Sequence, residues 1–599
     1  MRKSLLAYRA LLLAAACFAT FALVACSTPF ERQANEDLRR SIVSSAAREL
    51  AEARQSPQVR TVRSVPSDLE FTPERLEELH KMAGPESYTG ELPSLGEDLL
   101  GRVDDHPAFL ITLEQAIAAS VSNNLAVQIA RIDPAVGQAG VVAAQAAFDW
   151  VFFSTFEWAI TDQPSAVPII NGVPIGVGAS QSQTVSYSTG LRKALTSGGA
   201  FSVSQGQVYS DNSTPGTTIF PDPSNSVFAN FRFEQPLLRN FGSAVTLAEV
   251  RIAENLERDA VYALKASMIT AVAETEDAYW ALVAAHRALQ VRQRLLERGV
   301  ETRDVLRSRL GVDARPAEFS DAVARVESRQ ADVIRAVNRL RLASDRLKQL
   351  INDPELTVGS ETLLLPIDDP VEEPFSFSLA DLLSQSIAHR PEVQRAILAI
   401  DNASIRQTVA DNARLPRLDF AIETTLRGLD RSVGDAYEDV VDSRFMNWLM
   451  TLAFEQPIGN RAAEAGFRAR QLQRLQETLR YRQAVQNIVF DLKTVLRNLE
   501  TNYKLIQQTR TSRLAASENL RTLLVLERTI ATLSPDFLNL KLNRQEALAQ
   551  AELEEIQALV EYNSALADLY RATGTALERN GIRFIIPDAG ELQRAAYDR

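Results

Sequence analysis

Chemistry requires reactive groups that converge, and this sequence offers few that could. Its two cysteines, Cys17 and Cys26, both stand near the start of the chain, so the remainder has neither a disulfide framework nor a thiolate metal site. The four histidines, His80, His106, His286 and His389, are far apart. None forms a His-x-x-x-His pair or joins a Cys/His cluster, the spacings that hold zinc. Carboxylates are abundant, but Asp and Glu at helical spacing are what a solvated helix face carries. No nucleophile, base and orienting group can be assembled from them. The expectation is no catalytic, cofactor-binding or metal-ligating residue and no cofactor. A net charge of −12 without a basic stripe also argues against nucleic acid, whose phosphates demand clustered Lys and Arg.

The one side chain with a clear chemical future is Cys26. Arg2, Lys3 and Arg9 precede an apolar run from Ala10 to Ala25, the layout of a secretory signal. Leu23-Val24-Ala25-Cys26 resembles the bacterial lipobox, in which cleavage precedes a cysteine whose thiol takes diacylglycerol and whose new amino group takes a third chain. Residues 1–25 then read as a lipoprotein signal peptide and Cys26 as the lipidation site. Several acyl chains suffice for stable anchoring where one would not. Ser27, rather than an acidic residue, follows the cysteine, which resembles an outer-membrane address. No later stretch of about 18 apolar residues exists, so no spanning helix is expected.

The body behind this anchor begins with residues 26–108, polar and punctuated by Pro57, Pro66, Pro73, Pro85, Pro93 and Pro107. They read as a tether or wrapping extension rather than a core. Beyond them the sequence repeats itself. Leu113-Glu114-Gln115-Ala116 leads to Asn123-Asn124-Leu125, as Leu379-Ala380-Asp381-Leu382 leads to His389-Arg390-Pro391. Phe233-Glu234-Gln235-Pro236-Leu237 is answered by Phe454-Glu455-Gln456-Pro457-Ile458. Two repeats, 109–352 and 379–578, share one order of short helices, strands, a very long helix and a return helix. Residues 353–378 read as a linker between them and 579–599 as a tail.

Strands are expected at about 148–238 and 418–457. Trp150, Phe152, Phe156 and Trp158 alternate with Asp149, Thr155 and Glu157; Phe231, Phe420 and Trp448 belong to similar alternations. Apolar, aromatic-rich faces opposite charged ones match transmembrane β-strands, whose lipid and lumen faces alternate. Trp150, Phe152, Trp158, Phe231, Phe420 and Trp448 are the expected lipid-facing residues. About four spanning strands are expected per chain, too few to close a barrel alone, so several copies must share one. Residues 183–195 and 200–210 look like a further hairpin around Ser197-Gly198-Gly199 with no counterpart in the second repeat.

Proline is absent from 241–308 and 460–528, runs long enough for helices of about 100 Å. Apolar and small residues recur there at three-, four- and seven-residue steps, Ala253, Leu256, Ala260 and Leu264 among them, as close helix packing requires. Return helices are expected at about 317–350 and 536–572.

The duplicated plan, the Phe-Glu-Gln-Pro strand exits and the ending Tyr562-Asn563-Ser564-Ala565-Leu566-Ala567-Asp568-Leu569-Tyr570-Arg571-Ala572-Thr573-Gly574-Thr575 resemble the TolC outer-membrane efflux family. The resemblance covers about 108 to 578. It implies a mainly α fold with a membrane β-barrel portion: an antiparallel helical barrel in the periplasm and a shared β-barrel, closed as a homotrimer in the outer membrane. It implies a passive export duct in a tripartite efflux or type I secretion system. Its partners would be a periplasmic adaptor (membrane fusion) protein and an inner-membrane pump. The alternative is a non-conducting coiled-coil tether of the envelope. By the same resemblance Gly311, Val312 and Asp313, with Thr532, Leu533 and Ser534, are adaptor-contact tips. Ile530 departs from the family there, standing roughly where a glycine is usual. Asp536 and its repeat counterpart Glu318 fall where relatives carry a constricting acidic ring. Ser534-Pro535-Asp536 is equally the start a helix prefers for capping.

Overall fold

The structure is a computed structural model. It describes residues 46–56, 58–61, 71–88, 108–164, 169–170, 173–174, 179–214, 219–310, 314–529 and 534–586, with a few isolated positions besides. Its principal helices, in chain order, are α1 (Pro73–Met82), α2 (Leu113–Asn123), α3 (Leu125–Gln145), α4 (Ala248–Ser308), α5 (Pro316–Ile351), α6 (Leu379–His389), α7 (Pro391–Asn412), α8 (Val433–Val441), α9 (Arg461–Thr529) and α10 (Pro535–Thr573). The proline-free runs are the longest of these, α4 with 61 residues and α9 with 69, or about 90 and 100 Å of helix.

Local chemistry sets the helix ends. Thr112 Oγ1 accepts from the Gln115 amide at 3.2 Å while Gln115 Oε1 accepts from the Thr112 amide at 3.1 Å, a reciprocal cap that starts α2. Pro391 separates α6 from α7, because the residue before a proline is pushed out of the helical region. Gly574, at φ 74°, terminates α10 in the left-handed conformation that glycine adopts without strain.

Two compact units divide the chain. One comprises Ile42–Ala135, Asp259–Ala396 and Arg480–Arg599. Its main core lies where α2, α4 and α5 meet, with Tyr279, Leu282, Leu289, Leu340 and Leu347 fully buried. Full burial of such side chains stabilises by roughly 1.5–3 kcal/mol each. The Tyr279 hydroxyl donates to Asp368 Oδ2 at 2.8 Å, and that carboxylate also accepts from the Leu113 amide at 2.6 Å.

Two segments outside the repeats also take part in this unit. In the stretch 353–378, Leu363–Pro366 pairs in parallel with Ala108–Ile111, and Ser376–Phe377 pairs with Val59–Arg60. The extension 26–108 also contributes to the packed interior, since Leu79 and Ala83 are fully buried. Their surroundings in sequence are charged, so apolar periodicity could not mark them.

The other unit contains Val136–Arg258 and Ile397–Leu479 and is built on one antiparallel sheet. Its strands are β1 (Trp150–Pro164), β2 (Ala179–Ala194), β3 (Ala200–Asn212), β4 (Ser224–Pro236), β5 (Arg417–Asp430) and β6 (Phe445–Glu455), in the order β6-β5-β4-β3-β2-β1. The sheet therefore has six strands rather than about four. The hairpin at 183–210 lies inside it, as β2 and β3 between β1 and β4. Serine, threonine and glutamine make up half of β2, and serine and glutamine recur through β3, which weakens the alternation that marks β1 and β6.

Candidate functional site

The continuous register decides which side chains share a face. Trp150 lies opposite Lys193, Lys193 opposite Phe201, Phe201 opposite Phe233, Phe233 opposite Ile422 and Ile422 opposite Met450. By the two-residue period of a strand, Trp150, Phe152, Trp158, Phe231, Phe420 and Trp448 all fall on that one face. The edge strands leave their aromatics open: Phe152 is 69% exposed, Trp158 66% and Trp448 57%.

The opposite face is polar. Asn230 donates to Glu423 Oε1 at 2.7 Å, Arg232 pairs with Glu234 at 3.0 Å, and Ser188 donates to Thr155 Oγ1 at 3.3 Å. A one-residue slip anywhere would exchange the two sets, so the pattern also pins the register.

Helix α8, in the β5–β6 connection, covers the centre of the aromatic face. Ala436 and Val440 pack on Val227. The Tyr437 hydroxyl lies 2.6 Å from that of Tyr187 and accepts from Gln205. A polar interruption in an otherwise apolar face is thereby satisfied within the protein.

The repeated Phe-Glu-Gln-Pro motif finds unequal surroundings. Gln235 is buried, accepting from Ser197 Oγ at 2.8 Å and donating to Ser197 O at 3.1 Å. Those contacts come from the β2–β3 turn. Gln456 meets no such hairpin and is exposed.

At the far ends of the long helices, Ser534 Oγ accepts from the Phe537 amide at 3.2 Å and caps α10. Glu318 Oε2 accepts from the Arg315 amide at 2.9 Å and caps α5. Asp536 is exposed in the first turn of α10. The two helix starts belong to one neighbourhood, because Leu306, Ala322, Leu538 and Leu542 form a buried cluster with Phe319 against it. Gly311, Val312, Asp313, Thr532 and Leu533 lie outside the described residues, as does Cys26. Among the described residues no group of three His, Cys, Asp or Glu side chains could hold a metal ion, and no helix is long and apolar enough to cross a membrane.

The sequence matches no family model and no curated protein. Solved structures do match. The Campylobacter jejuni CmeC outer membrane channel superposes with a TM-score of 0.57 at 12% identity, over 90% of this chain and 98% of that one. The open state of the Neisseria gonorrhoeae MtrE outer membrane channel gives 0.53 at 18% identity, over 78% and 89%. The outer-membrane channel OprN gives 0.55 at 16%, over 77% and 90%. The chain has the TolC-like outer-membrane channel fold.

Within this channel fold two buried arginines escaped the sequence reading, because nothing marks one arginine among many. Arg329 of α5, 4% exposed, donates to Leu295 O of α4 and to Gln545 Oε1 and Leu542 O of α10, each at 3.1 Å. Arg513 of α9, fully buried, pairs with Glu555 of α10 and donates to Ala83 O beyond α1. The turn it reaches is held from a second side. Gln290 donates to Tyr88 O at 3.0 Å, Arg294 to Ser87 O at 3.3 Å and Arg298 to Met82 O at 3.0 Å. The Tyr88 ring stacks against Arg287 and Arg294. Arg294 also pairs with Glu552 at 3.1 Å. Burial nevertheless holds the Glu552 carboxyl above its ordinary pKa, outweighing the pull of Arg294, Arg298 and Arg513 in the other direction.

Proposed function

We propose that this chain is one protomer of a lipid-anchored export duct, a homotrimer that carries substrates across the periplasm and outer membrane of a tripartite efflux or type I secretion system. The observation that carries this reading is the sheet: one aromatic face, one polar face, and two unpaired edges, β1 and β6, on a chain with the TolC-like fold. Open edges are untenable in lipid, so the sheet must close with further copies. β1 and β6 run in opposite directions, as antiparallel pairing between neighbouring copies requires. Three copies of a six-stranded sheet give eighteen strands, a number at which a barrel encloses an aqueous channel.

In this reading the aromatic face meets lipid, with Trp150, Phe152, Trp158 and Trp448 on the edge strands and Phe231 and Phe420 further in. α8 screens the polar groups near Gln205. The polar face lines the lumen. Conduction is passive and needs no catalytic group; an inner-membrane pump supplies the energy through a periplasmic adaptor that meets the tips Gly311–Asp313 and Thr532–Ser534. Residues 1–25 are removed and Cys26 carries the acyl chains.

The test is reconstitution of the purified protein in planar bilayers, with oligomer mass measured by light scattering corrected for detergent. A trimer with steady ion conductance is expected. A trimer that never conducts would reject the duct in favour of a structural tether. Fatty-acid labelling that persists in Cys26→Ser would remove the lipid anchor from the proposal. Asp536→Asn keeps size and some capping ability while removing charge. If Asp536 and Glu318 constrict the periplasmic end, cation preference and block by multivalent cations both weaken. Unchanged selectivity with lower thermal stability assigns Asp536 to capping alone.

A further inference from the structure

The turn at residues 82–88 is gripped from both halves of the duplicated chain. Gln290, Arg294 and Arg298 reach it from α4, and Arg513 reaches it from α9. All four donate to main-chain carbonyls, so they hold the path of the turn itself. Gly84 makes that path possible: it sits at φ +133°, and a Cβ there would lie 2.6 Å from Arg513 Nη1. Ahead of the turn, Arg75 makes two bonds to Glu518, at 2.7 and 3.2 Å, and Glu78 pairs with Arg521 at 2.8 Å, seating α1 along α9.

We infer that residues 71–88 form an intramolecular latch that ties α4 to α9 and α10 and sets how readily the duct opens. The inference rests on the duct reading above. Hydrogen bonds near 3 Å fail within about an ångström of displacement, so α4 cannot shift against α9 while both hold the same turn. Release is nevertheless feasible. When the turn leaves, Arg513 keeps Glu555 and Arg294 keeps Glu552, so neither of these two charges is stranded, which would be the costly outcome. Release also uncovers Leu79 and Ala83, so the latched state is the resting one and opening draws on its minor alternative.

Apart from Cys17 and Cys26 the chain has no cysteine, which allows a direct test in the whole protein. A double variant, R75C with E518C, joined by a short bis-maleimide, fastens α1 to α9. Gly84→Leu unseats the turn. In planar bilayers the cross-link is expected to lower opening frequency about tenfold against the same protein before cross-linking, and Gly84→Leu to raise it about tenfold, a factor equivalent to roughly 1.4 kcal/mol. Conductance with an opening frequency indifferent to both changes overturns the latch and leaves the duct intact. Amide exchange reads the latch without conductance: α4 near Arg298 and α9 near Arg513 must exchange faster in Gly84→Leu and slower after cross-linking. Equal exchange in all three proteins rejects it, whether or not the channel conducts.

Discussion

The guanidinium of Arg329 occupies the space where Gly299 would carry a side chain: a Cβ on Gly299 would lie 2.6 Å from Arg329 Nη1 and 3.3 Å from its Cδ. Glycine in mid-helix costs about 1 kcal/mol relative to alanine, so its presence in α4 requires a compensating contact. That contact is the set of bonds by which Arg329 joins α5 to α4 and α10.

Gly299→Ala is therefore expected to destabilise, against its helix propensity. Overpacking a filled interior costs roughly 1–3 kcal/mol, which exceeds the propensity gain and is compounded by any bond that Arg329 loses. Thermal unfolding in detergent measures the sign. A rise in midpoint would mean that Arg329 moves aside freely and does not bind the three helices together.

Gly428→Ala tests the seat of α8. A Cβ on Gly428 would lie 1.9 Å from Ala436 O, a main-chain atom that cannot rotate away. The helix is expected to lift from Val227 while the β4–β5 pairing persists, since that pairing does not use α8. Trypsin should then cleave faster after Arg431 or Arg444, with the sheet itself unchanged. Cleavage at the wild-type rate would show α8 adapting in place.

Asp277→Asn carries a pH signature. Partial desolvation is the main cause that lifts the Asp277 carboxyl above its ordinary value of 3.8 even though the residue is exposed, and the nearby Asp568 adds to it. A carboxyl whose folded pKa is raised contributes stability below the unfolded value and loses that contribution as pH rises through the folded value. Asparagine stays neutral throughout, so the variant is expected to unfold about one degree higher at pH 7, solvent screening most of the effect at this exposed site, and to match wild type near pH 3.5. A gain independent of pH would point to packing instead.

Ser534→Ala removes the oxygen that accepts the Phe537 amide and is expected to cost about 1 kcal/mol. The loss should be local, seen as faster amide exchange in the first turn of α10. A change in ion selectivity without that fraying would give Ser534 a role in the passage itself.

By itself the sequence determined the long elements and their order. A proline-free run holding apolar residues at helical spacing has few alternatives to α4 and α9, and dense aromatic alternation has few alternatives to β1 and β6. Capping at Ser534 was equally legible, since it depends on residues within four positions of each other. Only the tertiary structure decided that β2 and β3 enter the sheet, that α8 covers its aromatic face, and that 71–88 is seated between α4 and α9. Each of these depends on partners far apart in the chain: Gln235 on the Ser197 turn, Tyr187 on Tyr437, the carbonyl of Ala83 on Arg513. Local pattern records which face of a segment is apolar. Polar side chains such as these acquire their partners only when folding brings distant donors and acceptors together, and no periodicity announces which will meet.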